Sequence, residues 1–562
     1  MAHPSRLLTL SAVPLTLALV TGVGPAAAGT AASQPRSLPS RSLPSRTLGS
    51  QALPAPAPAR AGRGLSIDWA ISGRAAAGSA QPGSPAGSAT DGDAGTDWCP
   101  SAWEGSLTVD LGRVRRLDGV GITLGGTSPS ASATIQLAAR GGIWTTLAAA
   151  RLIALDPGNP LYVPVPAGAQ ARYARLTVRS GTGTPVCVGE FRLFGPDPAA
   201  ARMALGADLS FTPQETAAGA VFTDRGRPGS PITIMRDHGA GYARMRLWVS
   251  PPPGYNDLAS DLALARAVRA AGMKIYLDIM YSDFWADPQH QDTPAAWQGQ
   301  DLAQLTGTVR AYTRQVLAAF ARQGTPVDMV SIGNEIRNGM LWPAGRVDWA
   351  AGTGWDNLAV LLRAGVAGAE AGNPRGHDLR IMMHFDQGGN RQQSHEFYQH
   401  LVSRGVPFDV IGLSYYPFFH GTMSQMRANV DALATQFHKP IIIAETQYAW
   451  TLANGDSTGN FVWQASQVSA GYPASPGGQL SFVSDELSVL AQVPDGLGAG
   501  LFYWAPEWIP GVGWEPGAGT PNDNLTLFSF AGTALPSIAI FGDPARVCAG
   551  YDPYDVPCAV GS

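Results

Sequence analysis

The sequence predicts a multidomain protein in which an all-β sandwich of the jelly-roll type is followed by a (β/α)8 TIM barrel. The chain has 562 residues, 45% of them hydrophobic, which is enough for two or three cores. Residues 62–196 contain short strand-like segments separated by Gly, Ser and Pro, without helical periodicity. Residues 201–541 alternate apolar runs with amphipathic stretches, which is the pattern of repeated βα units.

The N-terminus has the pattern of an export signal. Residues 1–28 combine a basic start at Arg6, an apolar stretch over 7–20 and small residues at 26–28. They predict a signal peptide and a secreted, extracellular protein. A membrane anchor is the alternative, but the apolar stretch contains Pro14 and is short for a span. Residues 29–61, with the repeat RSLPS RSLPS RTLGS, predict a disordered linker.

Four cysteines fit an oxidising compartment. Cys99 and Cys187 lie within the predicted sandwich domain, residues 62–198, whereas Cys548 and Cys558 lie in the C-terminal tail, residues 542–562. We favour disulfides 99–187 and 548–558, although four cysteines allow three pairings. Zinc binding is the competing interpretation, and the sequence lacks the C-x-x-C and H-E-x-x-H motifs that would support it.

The predicted barrel over 201–541 contains eight strand-like runs, at 206–211, 243–249, 274–280, 327–335, 379–385, 408–417, 440–448 and 498–508. Eight such repeats over about 340 residues match the usual size of a TIM barrel. A doubly wound sheet is the alternative fold, and it would need a glycine-rich phosphate loop after its first strand. No G-x-G-x-x-G follows a strand here, and G-K-[ST] does not occur.

Two of these runs end in a glutamate. Glu335 closes VDMVSIGNE, the fourth run, and Glu445 lies near the end of PIIIAETQY, the seventh. TIM-barrel enzymes carry their chemistry at the carboxyl ends of the strands, so the two carboxyls can approach each other at the barrel mouth. A pair of carboxyls on one site suits glycoside hydrolysis. Either glutamate alone could instead cap a helix or pair with an arginine. The sequence has no G-x-S-x-G nucleophile elbow, since its glycine–serine stretches lie in linkers or loops.

Residues 203–541 resemble family 53 of the glycoside hydrolases, the arabinogalactan endo-β-1,4-galactanases. The resemblance lies in motifs that follow the family order: GADLSF, RMRLWVSPPPGYNDL, AAGMKIYLDIMYSDFWADPQHQDTPAAW, VSIGNEIRNGMLWP, IMMHFDQGGN, IGLSYYPFFHG, IIIAETQYAW and NDNLTLFSFAGTALPS. It implies a retaining endo-hydrolase of pectic galactan, with Glu335 as general acid/base and Glu445 as nucleophile. Catalysis by two carboxyls requires no cofactor.

The resemblance also implies that Asn334 hydrogen-bonds the sugar 2-hydroxyl. An arginine beside Glu445 would lower its pKa and keep it ionised. Arg244 and Arg246 share one strand face, and we favour Arg246 because it lies nearer the carboxyl end of the strand. The alternative for Arg246 is an ion pair inside the barrel without catalytic contact.

Further substrate contacts are expected at the strand ends. One of Tyr415 and Tyr416 could donate to Glu445, since side chains alternate along a strand. Sugar rings stack on aromatic side chains, and we favour Trp504 and then Trp285 for this role; aromatic residues in barrel loops are also ordinary packing residues. Asp283 and Asp386 are candidates for binding sugar hydroxyls, with helix capping as the alternative. The family usually has histidine at Met280, so one substrate contact is in doubt, and His384 and His290 are possible replacements.

The segment DGDAGTDWC and the closing EFRLFG resemble the discoidin-type (coagulation-factor C-type, galactose-binding-like) domain. That resemblance implies a carbohydrate-binding module, with a structural spacer or a protein- or lipid-binding module as alternatives. It also makes a structural calcium possible, with Asp91 and Asp93 as candidate ligands. Some bacterial members of the hydrolase family carry a calcium in a barrel loop, whose ligands the sequence does not place.

Overall, the sequence predicts a monomer acting on a polysaccharide. The net charge of −4 gives no support for a nucleic-acid partner, and no second apolar stretch is long enough to span a membrane. Two other functions stay open: the same catalytic machinery acting on another β-linked sugar such as mannan, and a carbohydrate-binding protein that has lost turnover.

Overall fold

The computed structural model describes residues 65–125, 130–153, 161–251, 255–513 and 518–542. The predicted signal peptide, the predicted linker and the predicted disulfide between Cys548 and Cys558 lie outside these ranges. Within the described part of the chain, no helix is both long enough and apolar enough to cross a membrane.

Two antiparallel sheets form the N-terminal domain, which confirms the predicted sandwich. Its strands are β1 (Ser66–Asp68), β2 (Arg74–Ala77), β3 (Glu104–Arg116), β4 (Gly119–Leu124), β5 (Ser130–Ala138), β6 (Thr145–Ile153), β7 (Leu161–Pro164), β8 (Gln170–Ser180) and β9 (Val188–Pro196). One sheet has the order β1-β9-β4-β7 and the other β2-β3-β8-β5-β6. Alternate apolar side chains, such as Leu107 and Val109 on β3, are fully buried.

A disulfide joins Cys99 to Cys187, with an S–S distance of 1.99 Å, as predicted. Cys99 precedes β3 and Cys187 precedes β9, so the bond links the loops that lead into the two sheets. The second predicted disulfide stays a prediction.

The C-terminal domain is a closed barrel of eight parallel strands, which confirms the predicted (β/α)8 fold. Its strands are β10 (Ala204–Asp208), β13 (Tyr242–Leu247), β14 (Lys274–Ile279), β15 (Met329–Ile332), β18 (Arg380–Phe385), β19 (Val410–Tyr415), β20 (Ile441–Thr446) and β21 (Gly498–Tyr503). Pairing of β10 with β21 closes the barrel. Two short hairpins lie in its loops, β11 (Thr223–Asp224) with β12 (Arg227–Pro228) and β16 (Gly339–Met340) with β17 (Gly345–Arg346).

Helices connect the barrel strands. They are α1 (Thr212–Ala217), α2 (Pro231–Asp237), α3 (Leu258–Ala270), α4 (Leu302–Arg322), α5 (Trp355–Gly372), α6 (Arg391–Ser403), α7 (Pro417–His420), α8 (Met423–Phe437) and α9 (Pro476–Ala491). The longest, α4, starts with a capping box in which Asp301 and Gln304 satisfy each other's backbone N–H groups. Such caps fix where each loop at the barrel mouth ends and its helix begins.

Strand β15 ends earlier than its apolar run. It stops at Ile332, because Gly333 takes a positive φ of 88°, a conformation that glycine adopts without cost. Glu335 therefore lies three residues beyond the strand, whereas Glu445 lies within β20. Of the two candidate carboxyls, that of Glu335 is thus carried by a loop and that of Glu445 by a strand.

The sandwich packs directly on the barrel. Arg192 of β9 forms a fully buried ion pair with Asp485 of α9, with nitrogen–oxygen distances of 2.7 and 2.5 Å. The face of the sheet that carries Arg192 therefore lies against α9. The five-stranded sheet forms the opposite side of the sandwich and bears the exposed Trp103, whose exposed fraction is 47%.

Candidate active site

Arg244 organises the barrel mouth. This residue of β13 is fully buried, and its guanidinium contacts Asp208 at 2.5 Å, Asp278 at 2.8 Å and Glu445 at 2.6 Å. It also donates to Asn334 Oδ1 at 2.9 Å. One buried cation thus joins the ends of four barrel regions and aligns the carboxylate of Glu445.

The expectation that Arg246 would hold Glu445 is wrong, because Arg244 occupies that position. Both arginines lie on the same strand face, but the guanidinium of Arg246 turns into an aromatic pocket. It lies 4.0 Å from the ring centre of Phe211 and 4.3 Å from that of Trp285. Burial lowers the pKa of Arg246 to about 10, while the charge of Asp208 opposes this shift. Both arginines are fully buried, so the partners on neighbouring strands, and not the position along the strand, decide which one contacts Glu445.

Glu445 has two donors on its carboxylate. Arg244 contacts Oε1, and Tyr416 Oη donates to Oε2 at 2.7 Å. Tyr415 points the other way and donates to the Gly421 carbonyl, so the expected alternation selects Tyr416. Burial raises the pKa of Glu445, and Arg244 and Tyr416 oppose that rise. These two contacts favour the ionised form of Glu445.

Glu335 has a different environment. Its backbone adopts the left-handed conformation, with φ 48° and ψ 50°, which is uncommon for a non-glycine residue and marks a constrained position. Ser414 Oγ donates to its carboxyl at 2.6 Å, and the His384 ring lies 2.9 Å from the same hydroxyl. Burial raises the pKa of Glu335 well above its ordinary value, and the negative charges of Glu445 and Asp386 add to the rise.

The two carboxyls are therefore arranged for opposite protonation states. Glu335 lies next to acidic groups and receives one neutral donor, whereas Glu445 receives a charged and a neutral donor. A pair of titratable groups whose surroundings separate their pKa values indicates an acid and a base or nucleophile. This arrangement can protonate a leaving oxygen from Glu335 while Glu445 stays ionised.

Asn334 is buried beside this pair. Its Oδ1 accepts from Arg244, and its Nδ2 donates to the Ala286 carbonyl at 2.8 Å. Gln291 in turn donates to the Asn334 carbonyl at 2.8 Å. These bonds fix the amide orientation, and one Nδ2 hydrogen stays available for a substrate hydroxyl.

Aromatic side chains line the mouth next to Glu445. Trp285 and Trp504 meet edge to face with ring centres 6.1 Å apart, and Trp504 meets Trp508 in the same way at 5.8 Å. Trp504 is only 7% exposed, whereas Trp285 is half-buried. Trp285 therefore offers more ring surface to a sugar than Trp504, which we favoured from the sequence. Trp504 instead packs against the rings of Trp285 and Trp508.

The two candidate aspartates have protein partners. Asp283 accepts a hydrogen bond from the backbone N–H of Ala295 at 2.8 Å, which fits the capping alternative. Asp386 lies 3.3 Å from Arg337 and is buried, and burial raises its pKa. Asp386 contributes to the raised pKa of Glu335, so its placement supports the acid whether or not it binds sugar.

Met280 belongs to a buried apolar cluster near the barrel mouth. The indole N–H of Trp248 points to its sulfur at 3.0 Å, and the two side chains pack with Ala286 and Trp285. Neither histidine considered as a replacement takes this place, since His384 contacts Ser414 and His290 pairs with Asp287 on an exposed loop. The thioether of Met280, which the Trp248 indole contacts, therefore lies where the sequence resemblance implied a histidine.

Several residues of this network were not singled out from the sequence. They are Asp208, Asp278 and Ser414, all fully buried in barrel strands. Their signal is a polar side chain inside an otherwise apolar strand run, because burial of such a group requires partners. A search for that pattern would have found them.

A groove of about 720 Å³ lies among the loops that follow β14 and β15. Its walls include Asp283, Phe284, Thr293, Trp342 and Asn357. Asp283 and Trp342 lie in the loops that also carry Trp285 and Glu335, respectively. The groove therefore shares the loop that follows β15 with Glu335, although neither carboxyl lines it.

Comparisons with known proteins agree with this geometry. Residues 204–541 match the model of glycosyl hydrolase family 53, and residues 74–190 match the F5/8 type C domain. An arabinogalactan endo-beta-1,4-galactanase A of Aspergillus niger is 33% identical over 345 residues, covering 60% of this chain and 94% of that protein. A probable enzyme of the same name from Neosartorya fischeri is 34% identical, covering 60% and 92%.

Solved structures show the same similarity. The GH53 catalytic domain of Ignisphaera aggregans is 35% identical with a TM-score of 0.57, covering 61% of this chain and 96% of that one. A fungal beta-1,4-galactanase is 31% identical with a TM-score of 0.53, covering 60% and 99%. Because the family model covers more than half of the sequence, the predicted resemblance is confirmed. The chain is a glycoside hydrolase and belongs to glycosyl hydrolase family 53.

Proposed function

We propose that this protein is an exported, retaining endo-β-1,4-galactanase that cleaves pectic galactan. One observation carries the proposal. At one barrel mouth, Arg244 and Tyr416 donate to Glu445 and favour its ionised form against the effect of burial, while burial and neighbouring acidic groups favour the protonated form of Glu335. The named activity of the similar fungal enzymes supplies the sugar and the linkage.

In the proposed reaction, Glu445 attacks the anomeric carbon while Glu335 protonates the departing glycosidic oxygen. A covalent glycosyl–enzyme intermediate forms on Glu445. Glu335, now ionised, then takes a proton from water, and that water releases the sugar with retained configuration. Arg244 and Tyr416 stabilise the carboxylate that leaves in this second step, and Asn334 is placed to bind the sugar 2-hydroxyl.

Internal cleavage is proposed from the named activity of the similar fungal enzymes. The groove formed partly by the loops after β14 and β15 is a candidate path for the rest of the polysaccharide chain. Met280 and Trp248 are buried and pack against Trp285, so an apolar cluster supports the aromatic side chain that is proposed to contact the sugar. Mannan and other β-linked polymers are the alternative substrates.

The deciding experiment measures reducing ends released from linear β-1,4-galactan by the mature protein and by Glu445→Ala. Chromatography sizes the products, and proton NMR of the first products gives their anomeric configuration. Short oligomers of the β-anomer from the wild type, and none from the variant, support the proposal. Release from mannan but not from galactan contradicts the proposed substrate, and an initial α-anomer contradicts retention.

The sandwich is proposed to bind carbohydrate through the side that faces away from the barrel. Trp103 is 47% exposed there, with Arg179 5.3 Å from its ring centre, and Arg175 lies 4.0 Å over Trp144. Exposed aromatic side chains next to charged groups suit sugar rings. Retention of the full chain on insoluble galactan, compared with Trp103→Ala, tests this role, and equal retention of both proteins contradicts it.

A structural calcium is not equally suited to the two expected places. Asp91 accepts from the Asp93 N–H and Thr96, and Asp93 accepts from the Gly95 N–H and Ser424, so these carboxylates are occupied by protein donors. Among the described residues, the close group of possible ligands Asp97, Cys99 and Cys187 contains the disulfide and is unsuitable.

The loops after β20 and β21 are the other place considered for a calcium. Asp456 follows β20 and Asp523 follows β21, and burial, with a further contribution from the charge of Asp456, raises the pKa of Asp523 to about 6. The Oδ1 atoms of Asp523 and Asn460 are buried, and the Asn460 side chain interacts with the Asp523 carboxylate. We propose these oxygens as the ligands if the ion binds. Addition of calcium after chelation should raise the unfolding temperature of the wild type but not of Asp523→Asn.

A further inference from the structure

Helix α9 is buried on all sides. In a TIM barrel, an outer helix normally shows one face to water. Here every residue from Gly477 to Leu490 is buried, including the polar Gln479, Asp485, Glu486 and Ser488. These polar groups have no access to water, so their partners must lie in the protein. The helix lies between the sandwich and the barrel, and each side supplies partners.

The outer side of α9 is held by the sandwich. Arg192 binds both carboxylate oxygens of Asp485 and also donates to Thr123 at 2.6 Å. The backbone N–H of Asp68 donates to Ser488 at 3.0 Å. Tyr472, just before the helix, accepts from the Ala94 N–H at 3.0 Å and donates to Asp485 at 2.9 Å.

The inner side of α9 holds the chain that follows Glu445. Thr446, the next residue, donates to Glu486 at 2.9 Å. Gln479 donates to the carbonyl of Tyr448 at 2.7 Å. The hydroxyl of Tyr448 donates to the Tyr472 carbonyl at 2.5 Å. The residues that position the end of β20 therefore alternate along α9 with the residues that the sandwich binds.

We infer that the sandwich is a structural part of the catalytic unit and that Arg192 is a positioning residue for Glu445. The inference rests on the proposed role of Glu445. Arg192 fixes Asp485, the adjacent Glu486 fixes Thr446, and Thr446 adjoins Glu445 in β20. A module that only carried the enzyme to its polymer would need none of these buried contacts. The sandwich therefore acts on turnover itself, as well as in any binding to carbohydrate.

The test uses the full chain with Arg192→Met and two readouts. The first is kcat and KM on β-1,4-galactotetraose, a soluble substrate that removes polymer binding from the measurement. The second is amide hydrogen exchange over residues 441–448. Because displacement of a catalytic group by a fraction of an ångström is costly, we expect kcat to fall roughly tenfold or more with KM little changed. Exchange over 441–448 should become faster, and Arg192→Lys should recover part of both.

Arg172→Met is the matched control. Arg172 also donates to both carboxylate oxygens of one aspartate, Asp110, at 2.8 and 3.0 Å, but its side chain is 39% exposed on the same domain. This variant should keep the wild-type kcat on the tetramer and the wild-type exchange. If Arg192→Met does not fold, Tyr472→Phe replaces it, since that change removes the bonds to Ala94 and Asp485 and keeps the ring.

Wild-type kcat and wild-type exchange in a folded Arg192→Met or Tyr472→Phe would overturn the inference. So would an equal loss in Arg172→Met, which would show a general effect of the domain. If the wild type cleaves no galactan, the proposed function fails, while the exchange over 441–448 still decides whether Arg192 positions this strand.

Discussion

Two fully buried arginines stand among carboxylates in this molecule, one at the barrel mouth and one between the domains. Arg244 contacts Asp208, Asp278 and Glu445, whereas Arg192 contacts Asp485. The charges of further carboxylates, including Glu190, also act on Arg192. Both clusters satisfy the requirement that a buried charge be paired.

They differ in what surrounds the pair. Glu445 is 5% exposed, its donor Tyr416 packs against an aromatic cluster and its charge acts on a second carboxyl, Glu335, whereas Asp485 is wholly enclosed. Burial of an ion pair therefore does not mark a catalytic site by itself. The useful signs are access for a substrate and a nearby group with the opposite protonation preference. In the inference made above, the enclosed Arg192–Asp485 pair supports the position of Glu445 through α9.

The largest expected effect comes from replacing the two carboxyls of the candidate active site. Glu335→Gln and Glu445→Gln should each lower turnover of galactan by about 10⁴-fold, since both act in the same reaction. With an aryl galactoside whose leaving group needs little protonation, Glu335→Gln should recover activity and Glu445→Gln should not. Circular dichroism checks the fold. Equal recovery by both variants would contradict the assigned roles.

Removal of the Arg244 guanidinium should have the second-largest effect. In Arg244→Met, the carboxyls of Asp208, Asp278 and Glu445 lose their shared partner, and loss of one member of a buried pair costs about 3–5 kcal/mol of stability. The pKa of Glu445 should rise, because the charge of Arg244 now opposes the effect of burial. The acid limb of kcat/KM should move to higher pH. Arg246→Met is the comparison, and a similar shift there would contradict the assignment.

A smaller change tests the hydrogen bond to Glu445. Tyr416→Phe removes the donor at 2.7 Å, which helps to keep the pKa of Glu445 down. A hydrogen bond to a charged group is worth enough for a roughly tenfold fall in kcat, with the acid limb again moving to higher pH. Tyr415→Phe, whose hydroxyl contacts the Gly421 carbonyl, should leave that limb in place. The pH profile of all three proteins decides.

The sequence was sufficient for the eight barrel strands, the sandwich, the Cys99–Cys187 disulfide and the strand ends that carry Glu335 and Glu445. These follow from apolar periodicity and from family motifs. The choice between Arg244 and Arg246 did not follow, because it depends on side-chain direction and on Asp208 and Asp278 from neighbouring strands. The role of α9 was equally hidden, since Arg192 and Asp485 lie 293 residues apart and meet only when two domains pack.

The smallest expected effect concerns the buried region around Arg192 and Asp485, between the two domains, and the change of folding stability with pH there. Burial raises the pKa of Asp68 from 3.8 to about 7, despite hydrogen bonds from Leu193 and Ala70. The folded state thus binds this proton more tightly than the unfolded state, so stability should fall as pH rises from about 4 to 7. Asp68→Asn keeps an oxygen acceptor and cannot ionise, so its unfolding temperature should fall less across this range.

Asp110 provides the opposite sign for comparison. Its pKa is lowered by the hydrogen bonds from Arg172, so its contribution is present at neutral pH and is lost on acidification. Asp110→Asn should therefore remove the loss of stability below about pH 4 without changing the slope of the stability profile above it. If Asp68→Asn and the wild type lose stability in parallel between pH 4 and 7, the Asp68 carboxyl is not the group that senses pH. Another buried carboxyl of the interface would then be responsible, with Glu190, whose pKa burial raises well above its ordinary value, as the first candidate.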